Sequence, residues 1–371
     1  MTSSRLKFLA VAAATTLLAA GTALAASAAK PFLSQFHKIT KLAKTVPRSG
    51  PARGDQNPYG VAVVKRSVGK LVKGDILVSN FNNAKNQQGT GSSIVQVSPS
   101  GHASVFAVVA PPTKAKAVGL TTALVELRKG FVVVGSLPAP GGKPAHMTAG
   151  ALTVLNAKGH VVKTIMAKDI NGPWDMTAVT HKRSATLFVT NVLNGTVAAH
   201  GHIVNKGTVV RLVLSTGGGH LKLNSSAVIA QGFAEHTDPA ALVVGPTGVG
   251  LAKNGTLYVA DSAANRIAAI PQALTRTTAL GGGGMTVSSD KNLNDPLGLA
   301  IAPNGDVITM NGADGKIVET TPSSGKQFAK TLIPNGAGDL FGLAIAPKGA
   351  GIYFVNDIGS GSASNSLELL H

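Results

Sequence analysis

Three sets of residues in this sequence could do chemistry. The first closes a series of short apolar runs, which end in turn at Asn80, Ser136, Asn191, Asp261, Asn311 and Asn356. If one fold gathers those ends, they form a ring of oxygens for a cation or a polar ligand. Oxygen donors suit calcium or magnesium, although a single carboxylate among neutral groups binds such ions weakly. Asn and Asp also bond nearby backbone and lock the loop that follows, a purely structural use. The second set is aromatic. Tyr59, Trp174 and Phe341 each sit in the turn that opens one of these segments, in a chain that is 4% aromatic with a single Trp. Exposed there, the rings would stack on sugars, bases or apolar ligands; buried, they would pack between elements. The third set is histidine: His200-x-His202, and His236 beside Glu235 and Asp238. A His-x-His pair with a third ligand suits zinc, copper or nickel. The spacing here is loose and the residues fall in long connecting segments.

Other chemistries lack their residues. The absence of Cys excludes thiol nucleophiles, iron–sulfur clusters and Cys-ligated zinc. The run Gly281–Gly284 precedes no GK[ST] and no helix, so it is not a phosphate loop. There is no Gly-x-Ser-x-Gly elbow. Asp175, Asp295 and Asp339 read as ordinary turn residues.

The elements that must position these residues form a repeat. "GPTGVGLAKNGTLYVADSAANRIAAIP" from Gly245, "DPLGLAIAPNGDVITMNGADGKIVETT" from Asp295, "DLFGLAIAPKGAGIYFVNDIGS" from Asp339 and "NPYGVAVVKRSVGKLVKGDILVSNFNN" from Asn57 share one plan. Weaker copies begin at Ala117 and Gly172. Each has a turn, a small apolar strand, a hairpin, a β-rich strand and a third strand after a loop. Aligned on the residue that opens the first strand, the copies start at Gly60, Gly119, Asp175, Gly248, Gly298 and Gly342, separated by 59, 56, 73, 50 and 44 residues. The shortest spacing is that of one four-stranded propeller blade.

The spacing therefore predicts an all-β, six-bladed β-propeller over residues 57–371. The last copy stops after its third strand, at "NSLELLH". Residues 26–56, which hold "FHKITKLAKTV", are predicted to supply the missing outer strand and close the ring, removing exposed sheet edges. In such a blade the first strand starts, and the second ends, on the same face. The opening turns and the Asn/Asp ends should then meet around one mouth of the central channel.

Pro246-Thr247-Gly248 through "NGTLYVADSAANRI" resembles an NHL repeat, and Pro296-Leu297-Gly298 with "NGDVITMNGADGKI" is a fair second copy. The chain is more loosely similar to gluconolactonase-like and strictosidine-synthase-like propellers. The NHL resemblance implies an interaction platform. The gluconolactonase resemblance implies divalent-metal ligands, Asn or Asp, at the middle of some opening turns. Here those positions hold Tyr59, Val118, Trp174, Thr247, Leu297 and Phe341, so no ligand of that family carries over.

The first 25 residues read as a secretory leader: Arg5 and Lys7, an apolar run, and the small-x-small site Ala23-Leu24-Ala25. A periplasmic or extracellular location is expected. The formal net charge is +18, with the excess concentrated between Lys30 and Lys73. That favours polyanionic neighbours such as cell-envelope polymers, or serves solubility alone. The cluster Lys65, Arg66, Lys70 and Lys73 is predicted on the face away from the aromatic turns, so nucleic-acid binding has no support in the pattern. The reading favoured by the sequence is an exported, monomeric platform. It would bind a small molecule, glycan or protein through Tyr59, Trp174, Phe341 and the polar ring, with no cofactor. The alternative is a propeller hydrolase or lyase, with a divalent metal as its possible cofactor.

Overall fold

A computed structural model describes residues 30–112, 117–358 and 365–371; the leader-like segment lies outside them. Six antiparallel sheets form a ring, a six-bladed β-propeller. Their innermost strands are Gln56–Val63, Leu120–Leu127, Pro173–Thr180, Pro246–Leu251, Pro296–Ile301 and Leu340–Ile345. Each packs against the innermost strands of both neighbours, and the first packs against the last, closing the circle. Blade three adds a short fifth strand, Leu242–Val244, to the long outer strand Lys222–Asp238. No helix among the described residues is long and apolar enough to cross a membrane.

Closure follows the expectation drawn from the incomplete last copy. Strand Ile39–Lys44 pairs antiparallel with Ser366–Leu370, from Ile39 opposite Leu370 to Lys44 opposite Ser366, and so completes blade six. The segment before it adds a clasp. The backbone N–H groups of Phe32 and Leu33 donate to the two carboxylate oxygens of Glu319, each at 2.7 Å. Phe32, Leu33 and Phe36 are buried in one cluster with Ile308, Met310 and Phe354 of blades five and six. The core lies between blades. Leu127, Val133 and Val154 of blade two, for example, pack with Met176, Leu187 and Leu212 of blade three.

Each innermost strand opens with a bulge, which explains the recurring turn. In blade one Pro58 pairs with Asn80 and the next pair is Val61–Val78, so Tyr59 and Gly60 stand opposite Ser79 alone. Such a bulge re-aims a side chain, and here the redirected residue is the middle one, at the channel mouth. The second bulge residue meets the neighbouring blade. A Cβ on Gly342 would lie 2.0 Å from Tyr59 O, and one on Gly298 would lie 2.4 Å from Phe341 O, so no side chain fits at either position. Blade three has Asp175 here instead. Its carboxylate accepts from its neighbour Met176 N at 2.7 Å and from Val249 N of the next blade at 3.1 Å.

Blade two corrects the sequence alignment. Leu120, opposite Ser136, stands where Pro58 stands in blade one, and the next pair is Leu124–Val134. The bulge holds three residues rather than two. Thr121 and Thr122, not Val118, occupy the middle of the turn, and Gly119 precedes the strand.

Candidate active site

The redirected residues line a cavity of about 400 Å³ at one end of the channel, where Tyr59, Thr122, Trp174, Thr247, Leu297 and Phe341 come together. Tyr59 stacks on Phe81 with centroids 4.5 Å apart and 12° between planes. It lies 4.3 Å from Phe341 and meets Trp174 edge-on at 5.8 Å. Tyr59 and Trp174 are 3% and 5% exposed, and they pack with Leu137, Met147 and Val192. The rings are thus part of the core between blades and also one wall of the cavity.

Much of the remaining lining is polar. Asn57 precedes the first innermost strand, and Asp295 holds the equivalent place in blade five. Both have left-handed backbone, φ 59° and 53°, which Asn and Asp tolerate better than other side chains. Asn82 and Gln88 come from blade one and its following loop. Asp238 ends the long outer strand of blade three, and Asp357 follows the second strand of blade six. No Lys or Arg among the described residues lines the cavity. The carboxylates of Asp295 and Asp357 have no hydrogen bond or ion pair among the described residues. Burial, with a further contribution from nearby Asp238 and against the effect of His236, raises the Asp295 carboxyl to about 6. Burial, with a contribution from Asp339, raises Asp357 to about 7. The Tyr59 phenol is pushed far up by burial.

The Asn/Asp ring is placed differently from the aromatics. Asn80, Asn191, Asp261, Asn311 and Asn356 are buried and lie off the cavity lining. Their side chains bond within their own blade or to the segment that leads into it. Asn80 Nδ2 donates to Thr45 O and Ser93 Oγ, both at 2.9 Å. Asn191 Oδ1 accepts from Asn171 N at 3.3 Å. Asp261 pairs with Arg266 at 2.7 Å. Asn311 Nδ2 donates to Asn292 O at 2.7 Å, and Asn356 Nδ2 to Glu368 at 3.0 Å. Ser136 Oγ reaches Ala151 O at 3.3 Å. One polar atom on each of Asn80, Asn191, Asp261 and Asn311 is buried without a partner. The local bonds lock the loops, which is the structural use of these residue types.

The histidines do not assemble either. His200 and His202 are exposed and His236 is half-buried. No group of three or more His, Asp or Glu side chains among the described residues is arranged to hold a metal ion. The opening turns do not fit a gluconolactonase-type metal. Thr122 Oγ1 donates to Trp174 O at 2.5 Å, Thr247 Oγ1 lies 3.0 Å from Pro296 O, and the remaining positions are Leu or aromatic. At the other end of the channel a second cavity of about 340 Å³ is lined by Lys65, Glu126 and Asp175.

Sequence reasoning missed Asp357, read Asp295 as an ordinary turn residue and met Asp238 only as a neighbour of His236. For Asp295 a signal was present, because the Asp-Pro pair before its strand matches Asn57-Pro58. Asp357 carries only its place one residue beyond Asn356.

The chain matches no protein-family model and no curated protein sequence, so its NHL resemblance remains one of sequence pattern. Solved structures share its architecture. A gluconolactonase from Xanthomonas campestris has TM-score 0.55 and 13% identity, over 90% of this chain and 89% of its own. The PQQ-bound aldose sugar dehydrogenase of Streptomyces coelicolor has TM-score 0.53 and 14% identity, over 90% and 98%. A luciferin-regenerating enzyme has TM-score 0.51 and 11% identity, over 90% and 94%. At such identities the likeness is one of fold.

Proposed function

We propose that this chain is a propeller enzyme of the hydrolase or lyase class, with its active site in the channel-mouth cavity. The observation that carries this reading is that two carboxylates unpaired among the described residues, Asp295 and Asp357, line one cavity together with an aromatic wall. A carboxyl raised to about 7 can give or take a proton near neutrality, as general acid–base catalysis requires. Asp357 is accordingly the proton carrier, and Tyr59, Trp174 and Phe341 are the platform for the substrate. The named solved structures that share the fold are enzymes, which is in keeping with this reading more than with a passive platform. The leader-like opening supports a reaction outside the cytoplasm, and the basic segment 30–73 supports a place near anionic envelope polymers.

The test is turnover. Purified protein is incubated with a panel of lactones, esters and elimination substrates, and products are followed by mass spectrometry. Turnover of at least one compound, reduced about 100-fold or more in Asp357→Asn, is expected. A compound that binds the cavity without turning over would return the chain to the role of a binding platform.

A further inference from the structure

The mouth cavity has the opposite charge character to the molecule. The sequence holds 34 Lys and Arg against 16 Asp and Glu, yet the cavity is lined by Asp238, Asp295 and Asp357 with no Lys or Arg among the described residues. His236 is the basic group that acts on Asp295. A second observation is independent of charge. Four acceptor oxygens on cavity-lining residues are buried without a hydrogen-bond partner among the described residues: Asn57 Oδ1, Asn82 Oδ1, Gln88 Oε1 and Asp295 Oδ1. Asn57 and Asn82 are only 7% and 2% exposed. Two of these amides have their donor ends already engaged: Asn82 Nδ2 donates to Asn86 Oδ1 at 2.7 Å, and Gln88 Nε2 donates to Ala240 O. Buried acceptors are rarely left unpaired, and here they accompany the unpaired carboxylates of Asp295 and Asp357, while Asp238 accepts from Ala240 N and Ala241 N at 2.6 and 3.1 Å.

A wall short of donors and positive charge calls for a ligand that brings both. We propose that the cavity takes an organic cation, an ammonium or guanidinium group carried on a flat or apolar body. The charged group meets Asp295, Asp238 and the free amide oxygens. The body lies on the Tyr59–Trp174–Phe341 wall, whose ring faces also attract cations. A bare divalent ion fits less well, since it needs six or more oxygens converging on one point and has no use for the aromatic wall. Seating the cation at Asp295 and Asp238 leaves Asp357 free to carry a proton. The inference rests on the active-site reading above and adds the class of substrate. One geometric detail bears on the seat: a Cβ on Gly312 would lie 2.6 Å from Asp295 Oδ2, so a larger residue there would push the carboxylate aside.

Trp174 is the chain's single tryptophan, so its emission reports occupancy of the cavity. The full protein is titrated with benzyltrimethylammonium, benzyl alcohol and phenylacetate, which share a ring and differ in charge. Saturable change with the cation is expected, with about tenfold or weaker binding of the neutral and anionic compounds. Asp295→Asn should weaken the cation about tenfold and leave the neutral compound unchanged, which also shows that the variant is folded. Neutral or anionic compounds binding as well as the cation would overturn the cation assignment and leave the cavity as the active site. Displacement of the cation by an equal concentration of calcium would give the seat to a metal and also overturn it. No response to any of the three would overturn the assignment and the active-site reading together.

Discussion

Substituting Asn for Asp357 exchanges a carboxylate for an amide of nearly the same shape at the rim of the aromatic cavity. The carboxylate has no hydrogen bond or cation among the described residues, and burial raises it from 3.8 to about 7. The folded state therefore binds this proton more tightly than the unfolded state. Stability falls as pH rises from about 4 to about 7, and the full cost is present above about pH 7. Three pKa units correspond to about 4 kcal/mol. Asp357 is half-buried and open to water in the cavity, which reduces the figure to about 1–2 kcal/mol. Unfolding of the body Pro31–His371 carries about 2.1 cal/mol/K per residue, or about 0.7 kcal/mol/K. Asp357→Asn should then raise Tm by about 1.5–3 °C at a pH above 7, and by nothing below about pH 4, where both states are protonated. Thermal unfolding followed by circular dichroism at the two pH values measures this. A lower Tm for the variant above pH 7 would show that Asp357 is a structural partner rather than an uncompensated functional group. An equal gain at both pH values would refute the electrostatic origin.

The other predictions concern the clasp, the ring and the pH profile. Asp261→Ala removes the buried carboxylate that pairs with the largely buried Arg266 guanidinium, and should cost about 3 kcal/mol; calorimetry should show a fall in Tm of about 4 °C with ligand affinity at the mouth intact. Loss of that affinity would put Asp261 in the site. Glu319→Ala leaves the buried N–H groups of Phe32 and Leu33 unpaired and should cost about 2–4 kcal/mol, with faster exchange of those amides; unchanged exchange would mean the clasp does not hold the closing segment. With Asp357 as base, kcat/KM should fall about tenfold per pH unit below about pH 7, and a flat profile down to about pH 5 would remove it from that role.

Much of the fold was legible because a propeller repeats one pattern. The turn, the small apolar strand and the β-rich strand recur in order, and the missing last strand of copy six pointed to the segment that supplies it. Blade two was not legible: its bulge carries one extra residue, and the register of Leu120 opposite Ser136 depends on partners rather than on composition. In the site, Tyr59, Trp174 and Phe341 were visible as residues at equivalent turns. The Asn/Asp series was visible too, but its side chains bond to loops such as Asn171 and Asn292, whose paths the sequence does not fix. Asp295 and Asp357 were hidden for the opposite reason. A turn Asp usually satisfies itself on nearby backbone, and only the assembled ring shows that these two do not.

The most direct test of the account is a crystal structure of the protein with a ligand found in the turnover or fluorescence assays. The account predicts density in the mouth cavity, with the ligand body on Tyr59, Trp174 and Phe341 and its polar end toward Asp295 and Asp357. Density at the other end of the channel, beside Glu126 and Asp175, would contradict it.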